Sequence, residues 1–332
     1  MPVRLLLSML ALLAACTPTV NVNFGGPERG LREETVLEPH ASGAKVALID
    51  VTGLIADASR PSLLGRGENP VDEAAKRLER ARTDPAVRAV VLRINSPGGT
   101  VTGSATLYDE VRRFRADSGK PVVASMGEVA ASGGYYLALA ADAIVAQPTT
   151  LTGSIGVIIP TINLSEGLGM IGVRSRALTS GPNKDLANPL EPPRERHYAV
   201  LQAIVDDFYA SFRSRVVERR PAIDAARLDE LTDGRVVTGA AAHAAGLVDH
   251  LGGVREAFAL AKDLAGVSSA RLVKYPGASD KGPRSPYALA DASGAQVNLV
   301  QLNLAGADAL PHSGVYYLWT PAWESLGAHS PR

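Results

Sequence analysis

The chain has 332 residues, enough to bury a sizeable core in one large domain or two ordinary ones, and 46% of them are apolar. Its 34 basic and 34 acidic residues leave a formal net charge of +0, which excludes the basic footprint that nucleic-acid binding requires. A single cysteine, Cys16, excludes an internal disulfide, so the fold must stand on its core.

The chain opens on a basic residue, Arg4, and an apolar run from Leu5 to Ala15 that is too short to span a bilayer. Residues 1–16 therefore read as a secretory signal. Leu13-Ala14-Ala15-Cys16 resembles the lipobox of bacterial lipoproteins. Cys16 is accordingly expected to carry lipid and to hold the protein at a membrane surface of the cell envelope, facing the periplasm or the cell exterior.

Residues 17–42, rich in Pro, Gly, Asn and charge, read as a tether. Lys45 to Val51 is an apolar run suited to a buried strand, and Gly53 to Asn69 a loop-like insertion. Pro70 starts an amphipathic helix, and Val87 to Ile94 suits a central parallel strand. That strand runs into Asn95-Ser96-Pro97-Gly98-Gly99. A helix over Thr100 to Ala116, a strand over Pro121 to Met126, a helix over Val129 to Ala141 and a strand over Ala143 to Ala146 follow. This alternation marks stacked βαβ units of an α/β fold.

Val173 to Leu178 reads as strand-like. His197 to Arg219, a segment from Gly239 to Ala245 and Val254 to Leu264 make a C-terminal helical region, with Ala270 to Tyr275 a last strand. One domain over residues 43–275 is thus expected. Residues 276–332, which lose periodicity and carry Trp319 and Trp323, are expected to be an appendage.

Ser132, in Ala131-Ser132-Gly133-Gly134, sits where a strand gives way to a helix. Two readings fit that position, a helix N-cap and an exposed nucleophile. A nucleophile needs oxyanion donors, and the Pro97-Gly98-Gly99 turn offers uncovered N–H groups. It also needs a base. His197, behind Arg194-Glu195-Arg196, reads as a solvated surface residue. Only seven of the 34 basic residues are lysine, and Lys184, in the loop after Val173 to Leu178, is the better candidate. A lysine serves as a base only when burial and like charge lower its pKa by about 3 units, at a cost of about 4 kcal/mol. Ser154, in Thr152-Gly153-Ser154, is placed to orient an amine or else is a turn serine.

Taken in series, Ile94-Asn95-Ser96-Pro97-Gly98-Gly99, Ala131-Ser132-Gly133-Gly134-Tyr135-Tyr136, Thr152-Gly153-Ser154-Ile155-Gly156-Val157 and Gly181-Pro182-Asn183-Lys184 closely resemble the signal peptide peptidase A family of the Clp/crotonase superfold. The match runs from about Lys45 to Leu264. It implies Ser132 as nucleophile, Lys184 as general base, Ser154 as the residue orienting the lysine, and backbone amides of Gly98, Gly99 and Gly133 around the oxyanion. Two features depart from the pattern. Asn183 stands where the family often has a large apolar residue, and Asp185 beside the lysine would favour its charged form.

The resemblance further implies an exported serine endopeptidase that degrades residual signal peptides or other membrane-associated peptides, assembled as a homo-oligomeric ring, without metal or cofactor. The small residues around Ser132 suggest small or aliphatic substrate side chains. Two other readings compete. One is a non-catalytic lipoprotein scaffold or peptide-binding module on the same fold, and the other an acyl-CoA enzyme of the crotonase type, which export makes improbable. The Clp protease subunit resembles the chain less, because its catalytic histidine has no counterpart here.

Overall fold

A computed structural model describes residues 31–41, 43–58, 61–62, 65–66, 69–276, 285–286 and 315–318. The expected signal segment with Cys16, the first part of the expected tether, and Trp319 and Trp323 lie outside them.

The strands, in chain order, are β1 (Glu34–Leu37), β2 (Lys45–Thr52), the short pair β3 (Pro61–Ser62) and β4 (Gly65–Arg66), β5 (Val87–Ser96), β6 (Gly98–Thr100), β7 (Val122–Ala131), β8 (Ala143–Ala146), β9 (Leu151–Gly153), β10 (Val236–Thr238), β11 (His250–Leu251), β12 (Arg271–Lys274) and β13 (Tyr316–Leu318). The helices are α1 (Pro70–Thr83), α2 (Val101–Ser118), α3 (Gly133–Ala138), α4 (Ser165–Met170), α5 (Glu195–Arg219), α6 (Ala225–Leu231), α7 (Gly239–Ala244) and α8 (Val254–Leu264).

The main sheet runs β1-β12-β2-β5-β7-β8-β11, with β2, β5, β7 and β8 parallel to their neighbours and β1 antiparallel at the edge. Four residues of the expected tether, Glu34–Leu37, therefore belong to the sheet, because they pair with β12.

A parallel strand is buried on both faces, so its central residues are apolar without alternation, as they are over Val46–Ile49 of β2 and Ala89–Leu92 of β5. Val46 and Leu48 of β2 pack with Ala89 and Val91 of β5 against Val254, Phe258 and Ala261 of α8. The intervening Ala47, Ile49, Val90, Leu92 and Ile94 face α1 and α2 through Leu78, Leu107 and Phe114. Each such fully buried Val, Leu or Ile contributes about 1.5–3 kcal/mol. The helix ends follow their sequence signals. The Asn69 side chain accepts from the N–H groups of Val71 and Asp72 ahead of Pro70, and Thr100 Oγ1 accepts from Gly103 N–H to start α2.

Two expected elements change. The helix expected over Val129 to Ala141 is shorter, because β7 continues to Ala131 and α3 begins only at Gly133. β7 bends instead. Its first half pairs with β8 and its last three residues, Val129 to Ala131, pair with β9. Asn95 Oδ1 accepts from Val129 N–H at 3.1 Å, and Thr150 and Thr152 donate to Gly127 and Ala130 carbonyls at 2.7 Å, which fixes the corner. Val173 to Leu178 forms no strand. It is exposed chain without ladder bonds.

Candidate active site

The bend delivers Ser132 to the junction of β7, β9 and α3. Its backbone is forced into φ 53°, ψ −115°, a region that costs a non-glycine residue about 1–3 kcal/mol. Surrounding bonds hold it there. Ser132 N–H donates to Gly153 O at 2.8 Å, and Tyr136 N–H donates to Ser132 O at 2.8 Å. The side chain does not cap the helix, and its buried Oγ meets no hydrogen-bond partner among the described residues. An N-cap would spend that oxygen on the N–H groups of α3, so the cap reading fails here.

Ser154 is the corresponding residue on the neighbouring strand. Gly153 pairs with Ala131, and Ser154, also at positive φ (50°) and buried, follows directly. Its N–H donates to Arg235 O at 2.7 Å. The two serines thus leave adjacent strand ends side by side.

The glycine turn packs backbone to backbone against this junction. Gly98 has φ 110°, and a Cβ there would lie 2.8 Å from Gly133 N. A Cβ at Gly133 would lie 3.1 Å from Gly99 N and 2.4 Å from Ser104 Oγ. Glycine is needed at both places for close approach, and at Gly98 for φ as well. Ser96 Oγ stitches the turn, donating to Gly53 O at 2.6 Å and accepting from Gly98 N–H at 3.0 Å. A Cβ at Gly99 would come within 1.8 Å of Ile55 O. Gly99→Ala is therefore expected to lower unfolding free energy by about 3 kcal/mol, read from the urea midpoint. An unchanged midpoint would show that the Ile55 contact gives way freely.

Lys184 lies apart from these groups. It is exposed, on a loop whose turn is closed by its own N–H donating to Gly181 O at 3.2 Å, and its ammonium bonds to neither serine in the single chain. Asp185, suspected of holding the lysine charged, is engaged elsewhere. Its carboxylate pairs with Arg194 at 3.1 Å and lies 3.8 Å from His197 Nε2. Arg194 also pairs with Glu191 at 2.6 Å, and Glu191 accepts from Ala177 N–H.

His197 corrects the sequence reading. It is 3% exposed rather than solvated, and its Nε2 meets Pro182 O at 2.8 Å, two residues before Lys184. Sequence hid this because the charged run Arg194-Glu195-Arg196 looks like a solvent face, whereas α5 starts there and turns its histidine inward under the lysine loop. His197→Ala is expected to speed amide exchange over residues 181–190 about tenfold, the loss of one buried hydrogen bond. Exchange at the wild-type rate would show that the loop is held by the Asp185–Arg194–Glu191 pairs alone.

Tyr135, three residues after Ser132, is no base. It is fully buried, donates to Leu247 O at 3.0 Å, and burial pushes its phenol up to about 12.

The arrangement offers a strained serine with an uncommitted hydroxyl, glycine amides beside it and a lysine on a braced, exposed loop, which is equipment for acyl transfer. The model of peptidase family S49 matches residues 115–268, and that of Clp protease matches residues 73–153. The putative signal peptide peptidase SppA of Enterococcus faecium is 34% identical over 256 residues, 77% of this chain and 73% of that protein. A putative protease of Synechocystis is 37% identical over 67% of this chain and 75% of that protein. Protease 4 of Salmonella typhi is 38% identical over 71% of this chain, which spans only 37% of that longer protein. With the S49 and Clp models laid over the bent β7 and its serine, and relatives matched over three quarters of their length, the chain belongs to peptidase family S49, whose members are serine peptidases of the Clp/crotonase-like fold.

Proposed function

We propose that the protein is a Ser/Lys endopeptidase of the bacterial cell envelope, acting on residual signal peptides or other membrane-associated peptides. The observation that carries this is Ser132 Oγ, buried, unpartnered among the described residues and held at a strained φ beside the Gly99 and Gly133 amides. Ser132 Oγ attacks the peptide carbonyl, neutral Lys184 takes the hydroxyl proton, and Ser154 orients the amine. The C–N bond then breaks, the proton passes to the leaving amine, and water hydrolyses the acyl-enzyme. Gly99 and Gly133 supply the oxyanion donors. Gly98 N–H is already given to Ser96, so Gly98 serves the turn by its φ.

A base lysine has to be desolvated, and the single chain leaves Lys184 exposed. The chain leading into the lysine loop exposes Leu178 at 90%, Met170 at 87% and Ile171 at 73%, apolar surface of the kind that marks an interface. A second copy covering it would bury both the patch and the lysine, so the working unit is a homo-oligomer with sites shared between neighbours. Lipid on Cys16 would keep the assembly at the membrane surface from which its substrates come. Among the described residues no helix is long and apolar enough to cross a membrane.

The direct test is a phosphonate probe with tandem mass spectrometry. Its adduct is expected on Ser132. Labelling elsewhere, or none on the folded assembled protein, would return the fold to a binding role.

A further inference from the structure

The segment that carries Lys184 has no apolar core of its own. From Gly156 to Arg196 a single residue is buried, and it is a carboxylate, Glu191. A buried glutamate persists only where its oxygens are satisfied, and here both are. Oε1 accepts from Ala177 N–H, and Oε2 accepts from Arg194 Nη2 at 2.6 Å. Its backbone carbonyl accepts from Asn163 Nδ2 at 2.7 Å, and close by Leu164 N–H donates to Pro189 O at 2.7 Å. Three stretches of the segment, at 163–164, 177 and 189–194, are thus tied at one point. Lys184 lies on the chain between the second and the third.

The Arg194 guanidinium has a second partner, which adjoins the base. Its Nη1 reaches both oxygens of Asp185, at 3.1 and 3.4 Å, while Nη2 serves Glu191. A planar fork holds two carboxylates in fixed directions, as the single ammonium of a lysine cannot. Arg194 occupies the N-cap position of α5, makes no side-chain cap there and sets a positive charge at the positive end of the helix. That is a locally unfavourable choice, and the two carboxylates account for it. The Asp185 side chain is 7% exposed, although its neighbour Lys184 stands in the open. The charged and titratable groups that face Asp185 are Arg194 and His197, whose Nε2 is 3.8 Å away, with Glu191 and Tyr198 lining the small cavity beside them. Among the described residues the Lys184 ammonium forms no ion pair, so nothing but Arg194 and His197 decides where the carboxylate next to it in sequence points.

We infer that Arg194 is a positioning residue for the base: it withholds the Asp185 carboxylate from Lys184, so that the amine is neutral when it takes the Ser132 proton. The inference rests on Lys184 being that base. A carboxylate beside an amine favours the ammonium form, and an ammonium has no lone pair with which to accept a proton. The sequence Lys184-Asp185 carries this conflict, and Arg194, nine residues beyond Asp185, resolves it. Without the guanidinium, Asp185 is left as an unpaired charge where little water reaches, so its carboxylate turns outward to the cation within reach, which is Lys184. Glu191 acts one step further back. It fixes the direction of Arg194 and ties it to the chain at Ala177, which enters the lysine loop from the other side. The chemical step is unaltered: the hydroxyl proton of Ser132 passes to the Lys184 lone pair as Oγ bonds to the peptide carbonyl carbon, and it leaves again on the departing amine.

The test follows kcat/KM against pH for the assembled full-length protein, with fluorescein-labelled casein as substrate. Arg194→Gln is expected to move the acid half-point of the profile upward by about one pH unit, which is about a tenfold loss of rate below it, with the rate recovering at higher pH. Asp185→Asn, which keeps the shape of the side chain and a hydrogen bond to Arg194 but not the charge, is expected to keep the wild-type profile. The double variant Asp185→Asn/Arg194→Gln separates the two roles Arg194 could have. With no carboxylate to withhold, its half-point should return to the wild-type position. A guanidinium that only holds the loop together would leave the double variant displaced like Arg194→Gln, or would lower the rate equally at every pH, and either result overturns the inference. Arg194→Lys serves if the glutamine variant does not fold. One ammonium shared between two carboxylates holds Asp185 only in part, so the half-point should move the same way by about half as much, and no movement would overturn the inference. Full activity of Lys184→Ala would sink the dyad and the inference with it, whereas an unmoved half-point in the Arg194 variants alongside an inactive Lys184→Ala overturns the inference alone.

Discussion

Ser132→Ala is expected to reduce peptide hydrolysis by about 10⁴- to 10⁶-fold, the range seen when a serine nucleophile is removed from a working site, while the urea midpoint stays level or rises. The two halves of this expectation have separate causes. Activity falls because among the described residues no other hydroxyl is so placed. Ser154 sits on the next strand end, and Ser104 lies on the far side of Gly133, facing its α-carbon. Stability does not fall because Ser132 Oγ makes no hydrogen bond that folding gains, and removing a buried hydroxyl with no partner among the described residues relieves a desolvation cost. The strained φ of 53° is set by backbone bonds to Gly153 and Tyr136 and persists in the variant. Ser132→Cys, which retains a nucleophile of similar size, should still take up a phosphonate or alkylating probe. Substantial turnover by purified Ser132→Ala would remove Ser132 from the chemistry, and a large drop in midpoint would show that the hydroxyl has a structural partner.

Much of this site was legible before any coordinates, because its parts are local. The Gly-Gly turn and the Ser-Gly-Gly junction are written as short motifs, each dictated by φ or by close approach at a handful of adjacent residues. The βαβ alternation is likewise a short-range pattern, and the strands over Lys45–Thr52 and Val87–Ser96 fall where their apolar runs put them. What sequence missed depends on partners distant in the chain. The corner in β7 replaces an expected helix because Val129 to Ala131 pair with β9 and Asn95 reaches across to Val129, and no periodicity over Val129 to Ala141 reports such a pairing. His197 was hidden because its partner, Pro182 O, is a backbone carbonyl and has no residue signature. Val315 to Leu318 offered only a two-tyrosine step in a tail without period, and its place in the fold comes from Gly99 and Phe212, each more than a hundred residues away. Lys184 is a mixed case. Its motif was readable, while among the described residues of its own chain the cover that would make it a base is absent.

That absence leads to the second large effect. Lys184→Ala is expected to abolish hydrolysis as fully as Ser132→Ala, since an unactivated serine hydroxyl is a weak nucleophile, and to leave the midpoint unchanged because the Lys184 side chain is exposed. The informative experiment mixes the two dead variants. If Ser132 of one subunit meets Lys184 of its neighbour, an equimolar mixed assembly contains sites with both residues intact, about a quarter of the total for random association through a heterologous interface. Activity should therefore reappear on mixing after dissociation and reassembly, near a quarter of wild type, and should vanish on dilution to single chains. A charged residue at the exposed apolar face, Leu178→Glu, should block both assembly and this rescue, because seating an unpaired carboxylate in a closed interface is costly. Two dead variants that stay dead when co-assembled, with the oligomer verified by light scattering, would mean that each chain completes its own dyad. The exposed loop would then have to swing onto its own serine, against the Asp185–Arg194 pair and the His197 bond that now brace it where it stands.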